Sequence, residues 1–342
     1  AVATKTNASQ ASTSSWKYFN SPEDGARVTK GWFKVVAANE DNSFSKTIVD
    51  MKKGDGQTFD YSNADDETEK WYYADGDGNI KAGEIAKIKG KYYGFHPDGW
   101  MLNGLVFMSV DKDGNIEIPI SDYKSVDSDE LDDIMDMEVG SDGCSLYYFG
   151  DDEDHDGVMK TGNTTVTLDG ESYAFQFSKS GGVDGKGKGV TGIDDNKYIY
   201  KFGKKLKADN DDRYTVVYCN GPVGSSVEVQ EIDKKDLRAE AKPVGTNKDG
   251  DMVRLAGTMN KDYYLLNTSG AIVKTKKAAK DGDDWYFYVK NKQIKMYSNN
   301  KVLAKGTGDN AGTIDAVYND NSAWSDDDHV YAPVVNLGEA EE

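Results

Sequence analysis

The sequence predicts an all-β chain of stacked β-hairpin repeats, solenoid-like in build, interrupted by longer insertions that carry a little helix. Three observations lead there. Aromatic runs followed by an acid–Gly turn return along the chain at a period of roughly twenty residues, the signature of a repeat array. Glycine (36) and tyrosine (21) are abundant while proline is scarce (6), which suits many short strands and tight turns. Each short unit is too thin to cover its own aromatic face, so neighbouring units must stack.

The elements follow in order. Residues 1–15 read as a flexible, small and polar leader, and the first residues as a mature end just past a cleaved signal peptide. Residues 16–106 hold N-terminal repeats with an insertion: Trp16, then Trp71-Tyr72-Tyr73 running into Asp75 to Gly78, then Tyr92-Tyr93-Gly94-Phe95 running into Asp98-Gly99. An acidic insertion spans 107–143, where Leu131, Ile134 and Met135 fall at helical spacing behind Asp129 and Glu130. Central repeats cover 144–219 and begin at Tyr147, Tyr173 and Tyr198. A second insertion, 220–257, carries the alternating strand Val227–Ile232 and a helical turn near Asp236–Glu240. C-terminal repeats at 258–305 begin at Tyr263 and Trp285, and 306–342 is a divergent end with an acidic tail. Within a unit the aromatic run reads as one strand, the Asp/Asn-Gly pair as the turn, and a short apolar piece such as Ile80–Ala82 or Val158–Met159 as the second strand.

Acids outnumber bases 60 to 41, a formal charge of -19. That excess repels phosphate backbones and anionic lipid, which excludes nucleic acid as a partner. No run of eighteen apolar residues exists, so membrane insertion is excluded on the same reading. Cys144 and Cys219 are the only thiols, and the sequence leaves open either one bridge in an oxidising compartment or two reduced side chains.

The aromatic triplet, the Gly turn and the Met-Lys-Thr-Gly at Met159–Gly162 resemble the cell-wall-binding repeats of Gram-positive surface proteins, the group that includes choline-binding and glucan-binding modules. The resemblance covers about half the chain in patches, most fully at Gly83–Gly104 and Tyr147–Gly162. It implies hairpins stacked into a β-solenoid, ligands held between adjacent repeats, and a secreted protein at the cell surface or cell wall. In its own place in the repeat the family's Gly-Trp pair is kept at Gly31-Trp32, and gives way to Gly83-Glu84 and Gly162-Asn163 elsewhere. A choline site needs several electron-rich ring faces around one ammonium, so losing that Trp removes a wall of the cage.

The ligand-binding candidates are Trp32, Trp71, Tyr73, Tyr92, Trp100 and Tyr148, whose flat faces suit sugar rings or cationic head groups. The competing role is core: the middle ring of each triplet points opposite to its neighbours, so one set is buried and only the other can bind. Asp152, Asp154 and Asp156 before Gly157 match the opening of a calcium loop, yet Asn163 stands where that loop needs Glu, and Asp, Asn and Gly are also good turn formers. Calcium is the one cofactor the sequence raises, and it requires none. The three histidines, His96, His155 and His329, match no metal or catalytic spacing, and no nucleophile motif is present. The expectation is a non-catalytic repeat protein that binds cell-wall or extracellular polysaccharide by aromatic stacking; the alternative is an adhesin or spacer whose insertions bind a surface protein.

Overall fold

A computed structural model describes residues 2–3, 16–18, 26–36, 69–97, 99–117, 125–140, 143–150, 156–224, 226–246, 251–256, 259 and 261–301. Most of the leader, the interval 37–68, Asp152, Asp154 and His155, and the divergent end lie outside these residues. The chain forms two compact units. One comprises 1–130, 141–164 and 177–188; the other comprises 131–140, 165–176 and 189–342.

The first unit is built from small antiparallel sheets whose alternating side chains face neighbouring layers. Gly31–Val36 pairs with Glu69–Ala74, setting Trp32 opposite Tyr73, Phe33 opposite Tyr72 and Lys34 opposite Trp71. Glu84–Ile88 pairs with Lys91–Phe95 across the two-residue turn Lys89–Gly90. Both turn residues have positive φ, 48° and 84°, the conformation that matches the natural twist of a hairpin. Gly104–Val110 lies between Ser145–Phe149 and Ile116–Glu117.

The pleat decides which layer each side chain meets. Trp32, Trp71 and Tyr73 pack on Ala86, Ile88, Tyr93 and Phe95 of the second hairpin. From that hairpin's other face Ile85 and Tyr92 meet Val106, Met108, Tyr147 and Phe149. The remaining face of the first hairpin carries Phe33, Val35 and Tyr72 against Tyr18, Ile80 and Trp100. The hairpin stack expected from the sequence is therefore present, layer on layer.

The second unit repeats the plan. A five-stranded sheet, most of it in this unit, runs in the order Gly162–Leu168, Glu171–Phe177, Lys204–Lys205, Tyr198–Lys201, Gly192–Asp194. A three-stranded sheet has Tyr214–Cys219 at its centre, between Val229–Ile232 and Tyr263–Asn267. A second five-stranded sheet is ordered Lys242–Thr246, Met252–Ala256, Gln293–Ser298, Tyr286–Lys290, Lys276–Lys280. Val217, Cys219 and Leu266 face one apolar cluster with Ile199 and Leu206. Their strand neighbours Val216 and Leu265 face another, with Phe287, Val289, Ile294 and Tyr297.

The pairing inside each unit differs from the sequence reading. After the aromatic run, the acid–Gly turn closes on only one bridge: Ala74 with Ile80, Phe95 with Met101, Phe149 with Met159. The long ladder is made with the strand on the other side of the run, through turns such as Lys89–Gly90 and Asp169–Gly170. The short apolar piece instead binds the preceding layer, since Met101 N–H donates to the Trp71 carbonyl at 2.7 Å and Met159 N–H to that of Tyr92 at 2.9 Å. Likewise, Gly104–Val110 runs unbroken across the 106/107 boundary drawn from sequence.

The helix expected in the acidic insertion is Ser128–Asp136, with Leu131 and Ile134 buried. Asp127 and Glu130 cap its start reciprocally: Glu130 N–H donates to Asp127 Oδ1 at 2.9 Å, and Asp127 N–H to Glu130 Oε2 at 3.1 Å. Lys234–Ala239 is a second short helix with Asp233 as N-cap. Among the described residues no helix is long and apolar enough to cross a membrane.

Candidate functional site

The densest aromatic arrangement lies in the first unit, on the face shared by Trp32, Lys34, Trp71 and Tyr73. Alternation along each strand and direct cross-strand pairing put these four on one side. The Trp32 ring meets Tyr73 edge-on at 5.1 Å and Tyr93 at 4.9 Å, and it stacks on Phe95 at 5.9 Å. Trp32, Trp71 and Tyr73 all stay half-buried, so part of each ring is open to solvent. Burial, and then the Asp156 carboxylate, raise the Tyr93 phenol above its usual value, which places a negative charge near this cluster.

The other candidates fall in different settings. Trp100 is only 8% exposed and stacks on His96 at 3.9 Å with the planes 5° apart, so it is core. Tyr92 is half-buried, with Lys87 and Lys186 ammonium groups 5.5 and 4.9 Å from its ring centre. Tyr148 is half-buried and stacks on Phe177 at 6.4 Å. In this triplet the alternation is inverted: Tyr147 and Phe149 are fully buried and the middle ring is the accessible one. The structure thus brings Trp32, Trp71 and Tyr73 together and leaves Tyr92, Trp100 and Tyr148 apart from them. Sequence reasoning missed Tyr93 and Phe95, whose place in the cluster follows from the register that sets Tyr93 opposite Ala86.

Lysines sit over many of these rings. Lys34 is 5.9 Å from Trp71 and Lys70 6.0 Å from Trp100. In the second unit Lys197 and Lys205 lie 4.7 and 5.0 Å from Tyr198, and Lys204 5.2 Å from Tyr173. These are cation–π distances, so the ring quadrupoles are already engaged by the protein's own charge.

The acidic turns behave as turns. Asp75 Oδ1 accepts the amides of Asp77 and Asn79 at 3.0 and 2.8 Å, and Asp111 Oδ1 those of Asp113 and Asn115, both at 2.8 Å. Burial opposes ionisation of Asp75, but bonds from Asn79 and Asp77 and the Lys81 charge outweigh it and hold the carboxyl below its usual value. The Asn115 side chain does the same for Asp111. Of the calcium candidates, Asp156 is described and pairs with Lys160 at 3.3 Å. Among the described residues no cluster of three metal-ligating side chains occurs.

No protein-family model matches the chain, and no curated protein matches it. Solved structures do. CbpF in complex with ipratropium is 16% identical, over 82% of this chain and 56% of that one, with a TM-score of 0.33. The multimodular pneumococcal cell-wall endolysin of phage Cp-1 complexed with choline is 17% identical, over 63% of this chain and 37% of that one, with a TM-score of 0.21. The modular autolysin LytC of Streptococcus pneumoniae, in complex with a synthetic peptidoglycan ligand, is 12% identical over 70% and 43%, with a TM-score of 0.18. The chain therefore spans just over half the length of the CbpF chain. It is similar to choline-binding, cell-wall-binding repeat proteins, the group whose repeat pattern its sequence resembles.

Proposed function

We propose that the chain is a secreted, non-catalytic protein of the cell surface that binds cell-wall or extracellular polysaccharide through ring-face stacking. The observation that carries this reading is the contiguous strip of half-buried rings, Trp32, Trp71 and Tyr73, on one face of the first hairpin. Partly open indole and phenol faces suit the C–H faces of pyranose rings, while acidic and amide turn residues accept hydrogen bonds from hydroxyls. The lysines over Trp71, Tyr92 and Tyr198 favour a neutral, hydroxyl-rich ligand over a free quaternary ammonium, since an incoming cation would meet a resident one. Single stacking contacts are weak, so retention on a polymer rests on several engaged at once.

The test is co-sedimentation of the whole chain with insoluble peptidoglycan and with α-glucan, with and without choline as competitor. Retention that choline does not release supports the reading. No retention on either polymer sinks it, and complete release by choline points to the ammonium as the true ligand. The solved relatives' ligands, choline and peptidoglycan analogues, make these the natural first panel.

The adhesin reading keeps one supporting observation: Asp129, Asp132, Asp133 and Asp136 form an exposed acidic side on the helix Ser128–Asp136. Capture of a basic surface protein by the wild-type chain, lost when these four are changed to Asn, would favour it.

A further inference from the structure

Among the described residues, five turns share one backbone closure, in which the amide of the first residue donates to the carbonyl of the fifth. They run Asp75 to Asn79, His96 to Trp100, Asp111 to Asn115, Asn267 to Ala271 and Asp281 to Trp285, with distances from 2.8 to 3.2 Å. The fourth residue has positive φ, and in four turns it is the glycine this conformation favours: Gly78, Gly99, Gly114 and Gly270. In the last turn it is Asp284, at φ 60°. Aspartate is among the side chains that tolerate this conformation best, yet its Cβ still costs backbone energy that glycine would not.

The fifth position also departs. In the first and third turns an Asn side chain donates to the second carboxylate oxygen of the first Asp, at 3.4 and 2.8 Å. In the last turn that place belongs to Trp285, and the second oxygen of buried Asp281 accepts the Tyr297 hydroxyl instead. Both departures line one cavity of about 320 Å³, together with Asp251, Met252, Asp283 and Asn300. That is the lower end of the size range for ligand pockets.

The walls are held in place. Asp283 is bonded to Arg238 at 2.5 Å, and Arg238 also donates to Tyr297 Oη at 3.2 Å. Trp285 is fixed by its amide, bonded to Asp281 at 3.1 Å, and by its ring, 4.9 Å from that of Tyr297. A Trp at the fifth position is not in itself a platform: Trp100 occupies the same place and is buried against His96. Trp285 stays half-buried. A turn that gives up both template residues, and anchors the replacing Trp285 on the buried Asp281–Tyr297 pair, keeps a pre-organised wall.

We propose that this cavity is a saccharide subsite for an amine-bearing pyranose. The indole offers a wall for the sugar's C–H face. Asp251, Asp283 and Asp284 present acceptor oxygens to hydroxyls and to a protonated amine. From outside the lining Arg238 already binds one oxygen of Asp283 and Lys280 one oxygen of Asp284, so three carboxylates face two resident cations. The assignment rests on the polysaccharide-binding reading and gives it a position and a preferred sugar.

The test follows the Trp285 indole N–H by NMR, one of six such signals, during titration of the whole chain with glucosamine, N-acetylglucosamine, glucuronate and choline. A saturable shift with glucosamine is expected, weaker with the neutral sugar and absent with the anion. Asp284→Gly and Asp251→Asn should each bind glucosamine about tenfold more weakly, the loss of one charge-assisted bond. Asp284→Gly restores the residue the other turns carry, so its fold and thermal stability are expected to hold. Absence of a saturable shift, unchanged affinity in both variants, or choline bound as tightly as glucosamine overturns the assignment. Polymer retention by the wild-type chain is read separately, so the subsite can fail while the broader function stands.

Discussion

Gly94 and the Phe149 ring touch across two stacked layers: a Cβ added at Gly94 would lie 2.7 Å from Phe149 Cζ and 2.9 Å from Leu102 Cδ1. Phe149 is fully buried, so it has no room to retreat. Glycine is required here by close approach of the next repeat, and an added methyl overpacks the interface. Gly94→Ala should lower stability by about 1–3 kcal/mol. Urea denaturation would show the midpoint drop, and an unchanged midpoint would mean the layers are not in contact.

His96 gives the first unit an acid-sensitive point. Burial, and then the Lys70 charge, push its pKa down to about 4 from an ordinary 6.5. The unfolded chain therefore binds a proton that the folded chain refuses between those two values. Stability contributed by the neutral ring is present above pH 6.5 and is lost as pH falls toward 4. Between pH 7 and pH 5 the loss is about 2 kcal/mol, because each tenfold rise in proton activity below pH 6.5 favours the unfolded chain by about 1.4 kcal/mol. His96→Phe, which keeps a ring against Trp100, should remove that part of the pH dependence; an identical pH profile in the variant would refute it.

Much of this fold was legible because aromatic alternation is a strong signal. Trp71-Tyr72-Tyr73 announced a strand, and Leu131 with Ile134 announced a helix. The hairpin partner was not legible, for a local reason. Asp75 to Asn79 and Lys89–Gly90 both supply the positive φ a turn needs, so composition could not rank them. What separates them is that Asp75 ties down two amides of its own turn and closes a loop with room for one bridge, whereas Lys89–Gly90 continues a full ladder. The candidate site was legible in part for the same reason. Trp32, Trp71 and Tyr73 are named by the repeat pattern, but Tyr93 joins them only through the register of another hairpin. The cavity beside Trp285 depends on Asp251 and Asn300, which strand pairing brings in from elsewhere in sequence.

The thiol question left open by sequence has an answer in the structure. Neither cysteine is in a disulfide: Cys144 is half-buried and Cys219 fully buried. Burial raises the Cys219 thiol above its usual value, which lowers the thiolate fraction as well as access. In denaturant two thiols should react with a colorimetric disulfide reagent. In the native protein Cys219 should react at least about tenfold more slowly than Cys144, since thiolate formation and exposure both control the rate. Detection of no free thiol after denaturation would instead establish a bridge.

Tyr297 is the residue on which the last sheet's polar core turns. Its hydroxyl donates to the buried Asp281 carboxylate and accepts from Arg238. Tyr297→Phe leaves one oxygen of a fully buried carboxylate short of its donor, at a cost of about 1–3 kcal/mol at neutral pH. Burial, and then the Asp281 hydrogen bond and charge, hold the phenol well above its usual range. The folded chain thus keeps a proton that the unfolded chain begins to lose near pH 10, so this stability is intact below pH 10 and declines above it. By pH 11 the wild-type advantage over Tyr297→Phe should have shrunk by about 1.4 kcal/mol, the free energy of the tenfold excess of deprotonated phenol in the unfolded chain. Paired denaturation curves at pH 8 and pH 11 measure the difference directly. No gap at pH 8 would show that Asp281 does not depend on this hydroxyl, and a gap that stays constant to pH 11 would show that the folded chain does not hold the phenol's proton.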